Sequence, residues 1–316
     1  MTTTKTKITD LLGIKYPILQ GGMAWIAEST LAAAVSNAGG LGIIAGGSAP
    51  IDYLRDQIRR CKSLTDKPFG VNIMLMSPNA EDLAQLVIDE KVPVVTTGAG
   101  NPGKFMAKWK EAGIKVIPVV PSVALAKRME RAGADAVVAE GTESGGHIGE
   151  NTTMCLVPQV VDGVSIPVIA AGGIADGRGI AASFMLGAEG VQLGTRFMLA
   201  TECSINPTYK EKLIKANDTA TIVTGKRLGH PVRSLKSPFS RAYAKAEYSQ
   251  ISDDELEAMA VGSLRAAVLD GDEKKGCFLA GQIAGMINKE QSAAEMIEEI
   301  FSEAEAILNG AKKWVK

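Results

Sequence analysis

Short apolar runs alternate along the chain with amphipathic stretches. The runs are rich in β-branched residues, which is typical of buried strands, and they cover 16–20, 41–45, 69–74, 92–97, 114–119, 135–139, 167–171 and 190–194. The stretches between them have apolar residues at helical spacing and predict helices over 28–38, 52–62, 79–90, 102–112, 123–132 and 176–186. Glycine often follows such a helix directly before the next strand, as expected for a helix end.

This alternation predicts the fold class. The spacing between successive strands is the length of one βα unit, and nearly continuous apolar strands indicate a parallel sheet that is covered on both faces. Eight such units close into a ring, whereas an open doubly wound sheet usually has five or six strands. We therefore predict an α/β fold of the (β/α)8 TIM-barrel type.

More than a hundred residues follow the eighth predicted strand, although a barrel needs only one further helix there. The best amphipathic candidate for that helix is 292–308, with Gly310 as its cap. We expect residues 205–276 to form a small inserted cap that serves as a substrate domain. Residues 1–204 and 277–316 then form the barrel, with the tail returning to the barrel wall.

Composition and charge exclude several classes of protein. The chain is 46% hydrophobic and 22% charged, which is a globular balance. Its net charge of -1 provides no long-range field for nucleic acid or anionic lipid, so we expect neither as a partner. We also expect a cytoplasmic protein, because no apolar run approaches about 20 residues and the N-terminal residues lack the apolar core of a signal peptide. The four cysteines are widely spaced and indicate neither a disulfide framework nor a zinc site.

Two glycine-containing loops predict a phosphate site. In TIM barrels the loops after strands seven and eight often hold phosphate, and here they contain Gly172, Gly173, Gly194 and Thr195. Paired glycines let main-chain N–H groups approach an anion, the next helix start adds its dipole, and Thr195 can donate its hydroxyl. For either loop alone, a simple tight turn is an equal interpretation. Their joint position favours phosphate.

The loops after strands one and three suit a flat ring. Gly21 and Gly22, followed by Met23 and Ala24, let the backbone lie against such a ring without side-chain obstruction. Asn72 ends the third predicted strand, and its carboxamide can both donate and accept at the edge of a pyrimidine-like ring. Taken alone, Asn72 fits an ordinary loop hydrogen bond better.

The loop after the sixth strand carries the strongest chemical signal. It begins at Glu140, is rich in glycine and contains His147, one of only two histidines in the chain. Imidazole is a natural proton donor near neutral pH, so His147 is our candidate acid. A structurally satisfied histidine is the alternative. A metal site is not indicated, because no second histidine stands at metal-ligand spacing.

A basic segment lies in the predicted cap. Residues 219–246 contain no acidic residue and six basic ones, namely Lys226, Arg227, Arg233, Lys236, Arg241 and Lys245. This excess suits a dinucleotide phosphate or an acidic protein partner, and equally a solvated face balanced by the acidic residues that follow. The second histidine, His230, lies in the same segment, where an ordinary surface-loop role fits it better.

Several motifs together carry a family resemblance: QGGMAW, AGGLGII, GVN, TTGAGNP, PVVPSVALA, AEGTESGGHIG, VIAAGGIADGRG and GVQLGTRF. In this order they resemble the flavin-dependent enoyl-[acyl-carrier-protein] reductase II family. The match is unbroken over residues 15–197 and continues weakly through GHPVR and AGQIAG. The wider superfamily includes the nitronate monooxygenases.

The resemblance implies an FMN-containing TIM barrel with a smaller cap domain, NADH or NADPH as co-substrate, and His147 at the catalytic position. It also implies a homodimer, an acyl-carrier protein as the partner that bears the substrate, and a monovalent cation. We assign His230 and Arg233 to the binding of substrate or NAD(P)H. The residues that the resemblance assigns to FMN are Gly22, Met23, Ala24, Asn72, Glu140, Gly145, Gly172, Gly173, Gln192, Gly194 and Thr195.

Two branches of the superfamily remain to be separated. Ile148 follows the histidine where monooxygenases tend to have arginine, and Glu140 stands where they tend to have glutamine. These residues favour NAD(P)H-dependent reduction of trans-2-enoyl thioesters, the last step of fatty-acid elongation, over nitronate oxidation. A flavin-free aldolase or isomerase is a further alternative, but the one lysine on a predicted strand, Lys115, lies at the wrong end of it.

Overall fold

The computed structural model describes residues 4–47 and 49–314. The expectation that the N-terminal residues lack the apolar core of a signal peptide therefore falls partly on residues 1–3. The predicted barrel segments 1–204 and 277–316 include residues 1–3 and 315–316. These positions lie outside the described residues. Within the described residues, no helix is long and apolar enough to cross a membrane.

The strands confirm the predicted barrel. Each of the eight predicted strands is present, with ends shifted by at most two residues. The strands are β1 (Ile18–Gln20), β2 (Gly42–Ala45), β3 (Phe69–Met74), β4 (Val94–Gly98), β5 (Lys115–Val120), β6 (Val137–Glu140), β7 (Gly146–His147), β8 (Val168–Ala171), β9 (Gly190–Leu193), β10 (Thr221–Thr224) and β11 (Val232–Leu235). Eight parallel strands are hydrogen-bonded in the order β1-β9-β8-β6-β5-β4-β3-β2, and β10, β11 and β7 form a second, antiparallel sheet.

A buried glutamine completes the ring between β1 and β2. The junction has a single bridge, Leu19 to Leu41, the residue before β2. The Gln20 N–H donates to the Leu41 carbonyl at 3.0 Å, and the Leu41 N–H donates to the Ile18 carbonyl at 2.9 Å. The Gln20 carboxamide adds two bonds, accepting from the Ile43 N–H at 3.0 Å and donating to the Ile43 carbonyl at 3.1 Å. A side chain thus substitutes for the ladder bonds that the short strand β1 lacks.

Helices surround the barrel, and the six helices predicted between strands are all confirmed. The α-helices of the described residues are α1 (Lys7–Leu12), α2 (Ser29–Asn37), α3 (Ile51–Leu64), α4 (Ala80–Asp89), α5 (Gly103–Glu111), α6 (Val123–Arg131), α7 (Thr153–Gly163), α8 (Gly177–Met185), α9 (Pro207–Ile214), α10 (Pro238–Glu247), α11 (Asp253–Ala260), α12 (Ser263–Arg265) and α13 (Ala293–Gly310).

The inside of the barrel is filled at one end by α1. Ile8 and Leu12 of this helix belong to one buried cluster with Leu19, Ile43 and Ile169, which come from β1, β2 and β8. A reciprocal capping box at the start of α1 fixes this short helix. Because α1 precedes the first strand, it closes the amino-terminal end of the barrel, and the opposite end is left for a site.

The helix α13 packs against α8 and α2 on the barrel wall. Phe301 stacks against Tyr16 with ring centroids 5.0 Å apart, and the Glu303 carboxylate accepts from the Gly177 N–H at 2.8 Å. The prediction that Gly310 caps this helix is wrong. The helix continues through Gly310 to a right-handed Ala311, because the chain goes on into a 3₁₀ turn over Ala311–Trp314.

The residues between β9 and α13 share a core with the barrel. Leu235, Val268 and Phe278 belong to the same buried cluster as residues of β6 and β8. The second sheet also joins the two parts, because β7 comes from the loop after β6. The division into 205–276 and the rest of the chain stays a prediction.

Candidate functional site

A cavity of about 500 Å³ opens at the carboxyl ends of the barrel strands. It brings together almost all of the predicted site residues, from six different segments of the chain. Lining it are Gly22, Met23, Ala24, Asn72, Glu140, Gly145, His147, Gly172, Gly173, Gln192, Gly194, Thr195 and His230. Arg233 alone among the predicted residues is not part of this lining.

The first loop lies directly against the end of β3. A Cβ atom on Gly22 would lie 2.3 Å from the Cβ of Asn72, so only glycine allows this approach. Asn72 donates to the Thr96 hydroxyl at 2.9 Å. Its carboxamide oxygen accepts no hydrogen bond within the described residues and is available to a ligand.

The two predicted phosphate loops meet in the cavity wall. Gly172 and Gly173 have φ values of 90° and 73°, which favour glycine. The N–H groups of Gly173 and Gly194 have no acceptor in the part of the chain that the structure describes. The Thr195 hydroxyl accepts from the Gly281 N–H at 2.9 Å, so its own proton remains for a ligand.

The helix start that follows β8 does not contribute to this cradle as expected. Asp176 is the N-cap of α8, and its carboxylate accepts from the N–H groups of Arg178 at 3.0 Å and Gly179 at 3.3 Å. Those groups are therefore already occupied, and a negative charge already offsets the dipole of α8. The cradle depends on loop N–H groups and Thr195 instead.

A carboxylate that sequence reasoning missed ties the histidine loop to the cradle. Glu143 accepts from the Thr153 N–H at 3.0 Å and from the Thr153 hydroxyl at 2.9 Å. That hydroxyl also lies 2.8 Å from the Gly172 carbonyl oxygen. The only sequence signal was the position of Glu143 ahead of the start of α7, which suits a side chain that satisfies free helical N–H groups.

Glu140 ends β6 and faces the cavity. Burial raises the pKa of its carboxyl from 4.5 to about 7, and the nearby Ser144 hydroxyl opposes that rise. A carboxyl of this kind is largely protonated below neutral pH, so it can donate a hydrogen bond as well as accept one.

The two histidines line the same cavity. His147 lies on β7 opposite Val232 of β11, and the Ile148 N–H donates to the Pro231 carbonyl at 3.0 Å. This pairing brings His230, one residue before Pro231, to the same wall. Desolvation lowers the pKa of His147, and the positive charge of His230 lowers it further. His147 is thus neutral near pH 7 and gives up a proton readily once protonated.

Arg233 has a different place from the one expected. Its side chain is 8% exposed, and its guanidinium donates to the Thr142 carbonyl at 3.2 and 3.0 Å and to the Thr221 hydroxyl at 3.2 Å. Burial lowers its pKa, and Glu143 opposes that effect. Three of its N–H groups are used by Thr142 and Thr221, so Arg233 holds the histidine loop against β11 and lies outside the cavity lining.

Comparison with known proteins gives one family. The family model of nitronate monooxygenase matches residues 5–87 and 83–303. A "(3aS,4S,5R,7aS)-5-hydroxy-7a-methyl-1-oxo-octahydro-1H-indene-4-carboxyl-CoA dehydrogenase" of Mycobacterium tuberculosis is 34% identical, covering 99% of this chain and 99% of that protein. A probable nitronate monooxygenase of Staphylococcus saprophyticus is 36% identical, covering 96% of this chain and 99% of that protein.

Two solved structures resemble this chain over nearly its whole length. FabK from Thermotoga maritima is 55% identical, with a TM-score of 0.97 over 99% of this chain and 100% of that chain. A nitroalkane oxidase from Streptomyces ansochromogenes is 30% identical, with a TM-score of 0.86 over 96% of this chain and 99% of that chain.

Proposed function

The chain belongs to the nitronate monooxygenase family of FMN-dependent oxidoreductases, and from this premise we propose that it reduces trans-2-enoyl thioesters of acyl-carrier protein with NADH or NADPH. The observation that carries this proposal is the 55% identity to FabK, an enoyl-[acyl-carrier-protein] reductase II, over 99% of the chain. One relative named for a carboxyl-CoA substrate adds a second thioester-related protein.

The cavity fits FMN by size and by chemistry. A volume of about 500 Å³ is within the range of cofactor sites. The free N–H groups of Gly173 and Gly194, together with the Thr195 hydroxyl, suit a phosphate. The close approach of Gly22 to Asn72 leaves a smooth wall and a free carboxamide oxygen for a ring edge. When bound there, FMN supplies the hydride chemistry of the reaction.

The residues of this chain supply orientation and the proton. Reduction of the enoyl double bond adds hydride to the β-carbon and a proton to the α-carbon, and negative charge develops on the thioester oxygen. His147 faces the cavity and, when protonated, donates the proton to the α-carbon. Glu143 and Arg233 hold its loop, through Thr153 and Thr142 respectively.

A second activity has its own support. The family model and several relatives carry the name nitronate monooxygenase, and the solved nitroalkane oxidase shares 30% identity. The presence of Ile148 and Glu140, where monooxygenases tend to have arginine and glutamine, favours the reductase.

Anaerobic spectroscopy of the purified protein separates these activities. We expect yellow protein that is bleached by NADH or NADPH and regains its colour with a crotonyl thioester. Bleaching of the yellow protein by a nitronate, without recovery by the thioester, would assign it to the monooxygenase branch. Colourless protein that takes up no FMN would support the flavin-free aldolase or isomerase interpretation.

The remaining expectations stay proposals. The acyl-carrier protein is the partner that this reaction requires. A homodimer and a monovalent cation are predictions from the family resemblance, and a cytoplasmic location is a prediction from the sequence itself. Gel filtration with light scattering tests the dimer, and the dependence of turnover on ammonium or potassium chloride tests the cation.

A further inference from the structure

Four basic side chains of the acid-free segment 219–246 are exposed and make no ion pair within the described residues: Lys226, Lys236, Arg241 and Lys245. The other two basic residues of the segment already have partners. Arg227 pairs with Asp253 at 2.9 Å and donates to main-chain carbonyls, and Arg233 is buried behind its hydrogen bonds to Thr142. The structure thus leaves part of the basic segment free for a partner.

Two of the free cations, Lys226 and Lys245, lie next to the cavity mouth. Glu247, the last residue of α10, accepts from the N–H groups of Gly225 at 3.1 Å and Arg227 at 2.8 Å. These bonds hold the carboxyl end of α10 against the turn 225–231, which carries Lys226 and also lines the cavity through His230. Lys245 precedes Glu247 by two residues, so its Cα lies close to the same turn.

One face of α10 combines charge with an exposed ring. Arg241, Lys245 and Tyr248 are spaced i, i+4 and i+7 and therefore share this face. Tyr248 is 86% exposed, more than any other large hydrophobic side chain described. Arginine and tyrosine are enriched among residues that dominate binding at protein interfaces.

The acidic residues nearby only partly balance this face. Asp253 pairs with Arg227, and Glu255 caps the start of α11 through Ser252. Asp254 and Glu257 remain, against four free cations. Because the whole chain carries a net charge of only -1, the positive field is local and points to an acidic partner at this one place.

We propose that the face formed by Arg241, Lys245 and Tyr248, extended by Lys226, docks the acidic surface of the acyl-carrier protein beside the cavity mouth. This inference rests on the proposed function. A carrier protein must bring its flexible thioester arm to the cavity while its folded body stays outside, and α10 offers the matching charge at that position. Lys236, at the far end of β11, lies on the margin of the surface.

The test compares carrier-bound and carrier-free substrate. The double variant Arg241→Glu/Lys245→Glu should raise the dissociation constant for crotonyl-acyl-carrier protein, and the KM measured with it, by ~10-fold at low salt. Its KM for the uncharged crotonyl N-acetylcysteamine thioester should change less than ~2-fold, because that substrate lacks the carrier. Tyr248→Ala should weaken carrier binding by ~5-fold or more without any change of charge.

The matched control is Lys108→Glu/Lys127→Glu, which makes the same charge change on exposed lysines of α5 and α6. The proposed docking surface is wrong if carrier binding is unchanged in the α10 variants or is weakened equally by the control variant. It is also wrong if KM rises equally for both thioesters, or if KM rises only for NADH or NADPH. If the wild-type protein binds the carrier through α10 but reduces neither thioester, the docking surface is supported and the proposed function is wrong.

Discussion

His147 and His230 are the only histidines of the chain, and the fold brings both to one cavity wall from positions 83 residues apart. Their proximity has a chemical consequence. Burial disfavours protonation of His147, and the charge of His230 disfavours it further, so protonated His147 is a stronger acid than an isolated imidazole. This is the property that proton donation to a carbon acceptor requires.

Replacement of His147 tests its role directly. His147→Asn should lower turnover of an enoyl thioester by ~10²–10⁴, the usual contribution of general acid catalysis. The FMN content should stay near that of the wild type, because loop N–H groups and other side chains form the predicted flavin site. Turnover close to the wild-type value in the folded variant would remove His147 from the mechanism.

The pH profile tests the coupling between the two rings. If protonated His147 is the acid, kcat/KM falls as pH rises through its pKa, which lies below the ordinary value of 6.5. His230→Asn removes the like charge and should move this fall to higher pH, whereas His230→Lys keeps a cation and should not. Profiles between pH 5 and 8 distinguish these results. A fall at unchanged or lower pH in His230→Asn contradicts the coupling.

Glu140 links protonation to stability. Its pKa is 4.5 before folding and about 7 in the folded protein, so folding favours the protonated form. The stabilisation is complete below pH 4.5 and is lost as pH rises through 7. Between pH 5 and 8 the FMN-free wild type should therefore lose about 2–3 kcal/mol of unfolding free energy relative to Glu140→Gln, which cannot ionise.

Urea unfolding of both proteins at several pH values measures this difference. Every other titrating group is common to the two proteins, so its contribution cancels in the comparison. Parallel stability curves for wild type and Glu140→Gln would show that the Glu140 carboxyl is not shifted by folding.

At the scale of elements, the strands were predictable because their chemistry is local. Strands buried on both faces are nearly continuous apolar runs, and each is followed by a helix with its own periodicity. Position at the carboxyl end of a strand then predicted which loops meet, and the phosphate loops and His147 do line one cavity. Their roles with a ligand remain predictions.

The parts that failed or were missed depend on contacts far apart in the chain. Gln20 is predicted only as the last residue of the first strand, yet it completes the barrel by bonding Ile43 across the gap between β1 and β2. Arg233 is predicted to contact a ligand because it lies in a basic segment, yet its guanidinium donates a hydrogen bond to Thr142, 91 residues away. In each case the partner is invisible until the fold is known.

The contact between the first loop and β3 is an element-level requirement that a single methyl group can break. Gly22→Ala would place its Cβ 2.3 Å from the Cβ of Asn72, so the loop must move away from the strand. We expect a FMN content below half that of the wild type, measured by absorbance after purification. Gly310→Ala, in α13 and outside the cavity lining, is the control, because its new methyl group has no atom within 4 Å. Full FMN content in Gly22→Ala would show that the loop tolerates the shift.

At the scale of the whole molecule, the cavity exists only because distant segments close it together. The cradle combines the loops after β8 and β9 with Gly281, which lies between β11 and α13 in the chain, and α13 packs on α8. A ligand that contacts all of these segments should stabilise the complete fold, since it binds the native state and not the unfolded chain.

The phosphate of FMN should account for much of that stabilisation. At ~100 times its dissociation constant, FMN should raise the free energy of unfolding of the FMN-free protein by ~2.7 kcal/mol. Riboflavin has the same ring without the phosphate. If loss of the phosphate contacts weakens binding ~100-fold, riboflavin at the same concentration should give only ~0.4 kcal/mol. Denaturant unfolding with each ligand measures the two values. Equal stabilisation by riboflavin would mean that the glycine loops and Thr195 hold no phosphate, and that the ring alone determines how the flavin binds.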